Sequence, residues 1–241
     1  MAELDSDAQS CIWFHYRFTS SQNRIREFHV RLDRNSLGMV AKERPTYPAW
    51  TALTHHQCTN CSLRPEDHSR CPVAANLVEV VEYFRDGVSC ELTDMEISTE
   101  HRTYKKRGPL QDGLSALAGI YMVTSDCPIL DKLRPMVQSH LPFATREETT
   151  YRAIAMYWLA QFFLKQQGQE PDWSLEGLAR IYEDIVTVNR CFRERIAEVQ
   201  IADAGLNALF RLECYAQFTN RLILRKNLGE IERIFRTYLE Y

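Results

Sequence analysis

One short segment constrains this chain more than any other. It reads His55-His56-Gln57-Cys58-Thr59-Asn60-Cys61, then six residues, then His68-Ser69-Arg70-Cys71-Pro72. Cys-x2-Cys at 58 and 61 places two sulfurs on one tight turn, close enough to share an ion. His-x2-Cys at 68 and 71 returns two further ligands from the start of a predicted helix. Cys58, Cys61, His68 and Cys71 together satisfy tetrahedral zinc within 14 residues. The intervening Pro65, Glu66 and Asp67 offer little apolar surface to hold a loop in place. The segment from His55 to Cys71 is therefore expected to fold around a bound metal ion or cluster.

A second ligand set competes with the first. Cys71 and Cys127 are each followed by proline at a predicted helix start, where proline's missing N–H costs nothing. Free N–H groups and the helix dipole favour a thiolate there. Iron–sulfur ligand runs often end in Cys-Pro. If Cys127 folds back onto the loop, Cys58, Cys61, Cys71 and Cys127 supply four thiolates for a [4Fe–4S] cluster in place of Zn2+. The remaining cysteines, Cys11, Cys90, Cys191 and Cys214, lie on apolar strand or helix faces and are read as small core residues.

Strand-period alternation marks the front of the chain. Ile12, Phe14, Tyr16 and Phe18 point one way, and Phe28, Val30 and Leu32 repeat the pattern after the polar Ser20–Asn23 stretch, so a hairpin is expected. A helix from Pro72 to Asp86-Gly87 carries Val73, Leu77, Val80, Val81 and Phe84. Residues 88–97 and 100–106 predict a second strand pair. Beyond Gly108-Pro109 the periodicity becomes helical. Leu110, Leu114, Leu117 and Tyr121 mark one helix, and Cys127-Pro128 opens another that Pro135 should kink. Thr145 with Glu148 forms a capping box for a helix running to Gly168. Residues 174–200 predict a long helix, and 204–241 one or two more. The expected fold is α+β: a small antiparallel sheet with one helix and a metal-binding cysteine loop (residues 1–108), followed by an all-helical bundle (109–241), the two packing as one domain or two.

A net charge of −3 gives no broad pull toward nucleic acid or anionic membrane, so neither is expected as a partner. The longest apolar passage, Ala153 to Leu164, is too short to span a bilayer. The acidic opening, Met1 to Asp7, matches no secretory or mitochondrial leader, which predicts a cytoplasmic protein. Eight cysteines in a reducing compartment suggest metal or redox chemistry before disulfides. No phosphate-binding glycine loop, Gly-x-Ser-x-Gly elbow or His-Glu-x-x-His occurs.

Several other groups of residues carry candidate chemistry. His140 with Glu147 and Glu148 flanks the Leu141-Pro142-Phe143 turn and could serve as a base or ligand, although both glutamates have helix-start roles. The run from His101 to Arg107 could grip phosphate, but an edge strand guarded by lysines is the commoner cause. Tyr151, Tyr157, Trp158, Phe162 and Phe163 crowd one helix, as a bundle core or a pocket lining. Asn189, Asp203 and Asn207 are polar residues inside apolar helical stretches, which could mark a buried polar site.

The motif His56-Gln57-Cys58-Thr59-Asn60-Cys61 through His68-Ser69-Arg70-Cys71-Pro72-Val73-Ala74-Ala75-Asn76-Leu77 resembles an uncharacterised bacterial family, a domain of unknown function. Thr124-Ser125-Asp126-Cys127-Pro128 and His140-Leu141-Pro142-Phe143-Ala144 are similar to it as well. The resemblance brings no activity, and it favours a bound metal over chance. Three functions are consistent with the sequence. The first is a structural zinc site bracing a bundle that binds a protein partner or small-molecule ligand. The second is an iron–sulfur redox or sensor protein. The third is an enzyme with a pocket near His140.

Overall fold

Alternation in the first two strands builds the layer on which the rest is laid. In the computed structural model, which describes residues 10–40, 44–199 and 202–240, β1 (Cys11–Thr19) and β2 (Ile25–Asp33) run antiparallel. Phe14 pairs with Val30 and Tyr16 with Phe28. Tyr16, Phe18, Phe28, Val30 and Leu32 are buried, while Trp13 and Arg17 face outward. The acidic opening, Met1–Asp7, lies outside the described residues.

A second hairpin, β3 (Leu92–Thr99) and β4 (Thr103–Pro109), joins through β1 to give the antiparallel order β2-β1-β3-β4. β3 begins at Leu92 and not at Val88 as the pattern suggested. Residues 88–91 spend their backbone groups elsewhere. Ser89 N–H and Oγ–H both donate to the Asp203 carboxylate, and Glu91 O accepts from Leu110 N–H. β4 is an edge strand, and its basic run is matched by acids: Lys105 lies 2.7 Å from Glu96, and Lys106 2.6 Å from Asp112. Those cations guard the edge and balance local carboxylates.

The connection between the hairpins carries the cysteine loop and α1 (Pro72–Tyr83), which has Cys71 at its N-cap and proline at its first turn. α2 (Leu110–Val123) lies on the sheet. Its Gly113 is required by that contact, since a Cβ there would meet Met95 Sδ and Phe18 Cε1 at 2.6 Å. After α2 the structure departs from the predicted kinked α-helix. Leu130–Ser139 is a 3-10 segment containing Pro135, which supplies no N–H to continue an α-helical ladder.

α3 (Arg146–Gln166) starts with the complete capping box of Thr145 and Glu148, and Gly168 just beyond it takes φ +76°. α4 (Glu176–Ala197), α5 (Asp203–Leu224) and the short α6 (Gly229–Arg233) and α7 (Arg236–Leu239) complete the chain. The fold is α+β, strands first and helices after. One apolar core runs without a break from Ile12 in the sheet to Ile223 in α5. No helix among the described residues is long and apolar enough to cross a membrane.

The aromatic helix does not form a core of aromatics. α3 turns Thr150, Ala153, Ile154, Tyr157 and Gln161 inward, whereas Tyr151, Trp158, Phe162 and Phe163 are exposed. The inward stripe follows the three- and four-residue spacing of a helix face. Its small residues allow close approach to α5, where the Thr150 and Thr219 hydroxyls meet at 2.8 Å.

Candidate metal centre

The cysteine loop is closed at its base before any metal is considered. Leu53 N–H donates to Ser69 O and Cys71 N–H to Thr51 O, so the two stems bridge like a short strand pair. Cys61 N–H donates to Cys58 O at 3.0 Å, the tight turn that Cys-x2-Cys requires. Between the stems the chain has little to bury, and Arg64 to Arg70 are all exposed. The loop is strapped instead along α4. Asn60 Nδ2 donates to Asp184 O and Oδ1, and His56 Nε2 lies 2.6 Å from Glu198.

Arg195 of α4 is the main strap. Its side chain is only 1% exposed. Nη1 donates to Trp50 O and Ala52 O, both at 2.7 Å, and Nη2 to Leu53 O. No carboxylate among the described residues lies within ion-pair distance of it. The groups that favour its charge are the thiols of Cys71, Cys58, Cys61 and Cys191, set against the desolvation that disfavours it. The hydrogen bonds of Arg195 are met by three carbonyls, but a buried guanidinium with no anion beside it is costly in charge.

The thiols of Cys58, Cys61, Cys71 and Cys127 are near enough here to act on one another electrostatically. Burial pushes Cys58, Cys71 and Cys127 above the ordinary thiol range, and each is raised further by neighbouring thiols. Cys58 responds to Cys191, Cys71, Cys61 and Cys127, and Cys127 responds to Cys71 and Cys61. Backbone N–H groups oppose the rise. Those of Ala74 and Val73 lower the Cys71 thiol and those of Leu130 and Ile129 lower Cys127, although the Cys71 sulfur makes no capping hydrogen bond. Cys71 is the N-cap of α1, and Cys127 lies in the turn that leads into the 3-10 segment, so nearby backbone N–H groups offset part of the burial at each. His68 is exposed and is not among the groups acting on these thiols.

The spacing of the thiols bears on what they could hold. Among the described residues, the sets of three or more ligating groups within 4.8 Å of one another are His15, Glu27, His29 and His55, His56, Glu198. Neither includes a cysteine. Tetrahedral zinc, with Zn–S near 2.3 Å, draws its sulfurs to roughly 3.8 Å of one another.

The model of a family described as a domain of unknown function, DUF6901, matches residues 14–236. The chain belongs to this family. The match takes in the sheet, the loop and the bundle, so every candidate ligand lies inside the DUF6901 region. No curated protein and no solved structure matches the chain.

Sequence reading missed several residues of this site. Cys191 was expected to be core and is buried, yet it stands beside Cys58. Cys11 is buried as expected, but Cys90 and Cys214 are exposed, Cys90 in the turn before β3 and Cys214 on the outer face of α5. Arg195 gave no local signal beyond a charge on the inner face of an amphipathic helix. The pair His55-His56 beside the cysteines was visible, but its partner Glu198 comes from the far end of α4. The set His15, Glu27 and His29 depends on strand register, which stacks the two imidazoles at 4.3 Å.

Proposed function

We propose that this chain is an iron–sulfur protein whose [4Fe–4S] cluster is ligated by Cys58, Cys61, Cys71 and Cys127. The carrying observation is that Cys127, from the helical half, is near enough to act on the thiols of the three loop cysteines, which themselves act on a buried Arg195 that has no carboxylate partner among the described residues. A thiolate-ligated centre is net anionic and supplies the charge that Arg195 lacks. Among the described residues no three of these thiols fall within 4.8 Å of one another, which suits a cube of iron and sulfide, with its more widely spaced thiolates, better than one zinc ion. Cys127 is favoured over Cys191 as fourth ligand. Cys127 lies just before the 3-10 segment, where the backbone N–H groups of Leu130 and Ile129 favour its thiolate, whereas Cys191 sits mid-helix, where the N–H groups are already used. Such a centre exchanges single electrons or senses oxidants.

The test is anaerobic purification followed by a visible spectrum and iron and sulfide analysis of the same sample. Broad absorbance near roughly 400 nm with iron and sulfide is expected, lost in Cys127→Ser and retained in His68→Ala and Cys191→Ala. A colourless protein with one zinc that His68→Ala releases would overturn this reading in favour of a structural Cys3His brace.

A further inference from the structure

A cavity of about 180 Å³ lies between α2, the 3-10 segment, α4 and α5, and the cysteine site makes no use of it. Its walls are mostly apolar, with Ile120, Leu130, Met136 and Leu212 among them. For scale, an apolar cavity of about 150 Å³ accepts benzene. A few polar groups converge on this space. Asn189 is 4% exposed and Tyr182 3% exposed, and neither side chain has a hydrogen-bond partner among the described residues. They lie on one face of α4, seven residues apart. Asn189 is one of the polar residues that interrupt an apolar helical stretch in the sequence. Here its amide lines a space large enough for a ligand.

The charge at the cavity is positive. Arg152 of α3 lines it and donates through Nη2 to Met136 O, while its Nε is buried without a partner. No carboxylate among the described residues lies within ion-pair distance of Arg152. Glu148 is the acid whose charge reaches it, and that carboxylate is held by Thr145 N–H in the capping box. On another wall Asp112 is shared by two cations, Arg211 at 2.8 Å and Lys106 at 2.6 Å. His140 completes the lining with its Nε2 2.7 Å from Tyr16 Oη. Burial and the neighbouring Arg152 keep it neutral, so the imidazole adds no charge of its own. The cavity thus has an apolar body, a guanidinium on its wall that no carboxylate pairs among the described residues, and two polar side chains without hydrogen-bond partners among them.

We propose that this cavity binds a small monocarboxylate with an apolar body, about the size of benzoate or hexanoate. Arg152 receives the carboxylate, Asn189 and Tyr182 orient it, and the walls of α2, α5 and the 3-10 segment enclose the hydrocarbon part. Nothing in this proposal depends on the cysteine site, so either can fail without the other.

The test is titration calorimetry of the full chain with benzoate and hexanoate, alongside the neutral benzamide and hexanamide, backed by thermal shift. The acids are expected to bind at least about 10-fold more tightly than the amides, the size of a charge-assisted hydrogen bond, and to raise the melting temperature. Arg152→Gln should lose that preference and Arg152→Lys should recover part of it. Gly119→Leu should abolish binding of acids and amides alike by filling the cavity, since a Cβ at this lining position meets only Leu212 Cδ2, at 3.8 Å. Absence of binding by either acid, or equal binding of acid and amide, overturns the proposal on the unmodified protein, whether or not Arg152→Gln folds.

Discussion

Strands β1 and β2 pair through nine registered positions and bury every second side chain, whereas the neighbouring cysteine loop leaves Arg64 to Arg70 exposed in one run. The sheet is held by its ladder and by apolar burial. The loop is held by a stem bridge, by donors from α4 and, on the reading proposed above, by a metal cluster. The difference teaches that order in this chain has two sources. One is spread over many small contacts and tolerates local damage, and the other is concentrated in a few groups whose loss releases a whole segment.

The largest effect should come from the sheet side. Phe28→Ala removes a ring that packs on Phe18 and Phe84 and should cost about 3–5 kcal/mol in chemical denaturation. If the iron–sulfur reading holds, the fraction that still folds should retain iron. If it arrives empty, loop and sheet are one cooperative unit and the contrast fails. Next is Arg195→Met, which strips the donors from Trp50 O, Ala52 O and Leu53 O and removes the cation beside the thiols. A loss of about 3 kcal/mol is expected, with hydrogen exchange accelerating in residues 50–71 and unchanged in β1 and β3. Uniform acceleration across both regions would show that Arg195 braces the whole fold.

Thr145→Ala should cost about 1 kcal/mol by removing the side-chain acceptor for Glu148 N–H. It should leave both sheet and loop protection intact, since the capping box belongs to α3 alone. A change in visible absorbance would contradict that independence. The smallest effect is a slope. His140 is pushed from 6.5 down to about 3 in the folded chain, by burial first and then by Arg152. Between those values the unfolded chain binds the extra proton, so this residue's contribution is full above pH 6.5 and declines as pH falls toward 3. His140→Gln should flatten the fall in melting temperature between pH 6.5 and 5, a window above most carboxylate titration. An unchanged slope would mean that His140 protonates in place.

Much of this architecture could be read from the chain alone. Both hairpins, the helix after Cys71-Pro72, the capping box at Thr145 and the edge role of β4 follow from period and local chemistry, because each reports contacts within a few residues or across one turn. The Cys-x2-Cys turn was legible for the same reason. Two predictions made at that range were changed by longer-range competition. Residues 88–91 look like strand until Asp203 takes the donors of Ser89, and the aromatic helix looks like core until α5 selects its small-residue face.

Which distant groups come near one another is set by packing. Cys127 and Cys191 reach the loop, Arg195 faces thiols without a carboxylate, and Arg152 and Asn189 open onto one cavity, because the sheet order and the packing of α4 bring them there. Sequence spacing encodes the face of a strand or helix, since that follows from backbone geometry. It does not encode which face of another element lies opposite, since that is settled by the packing of the whole core.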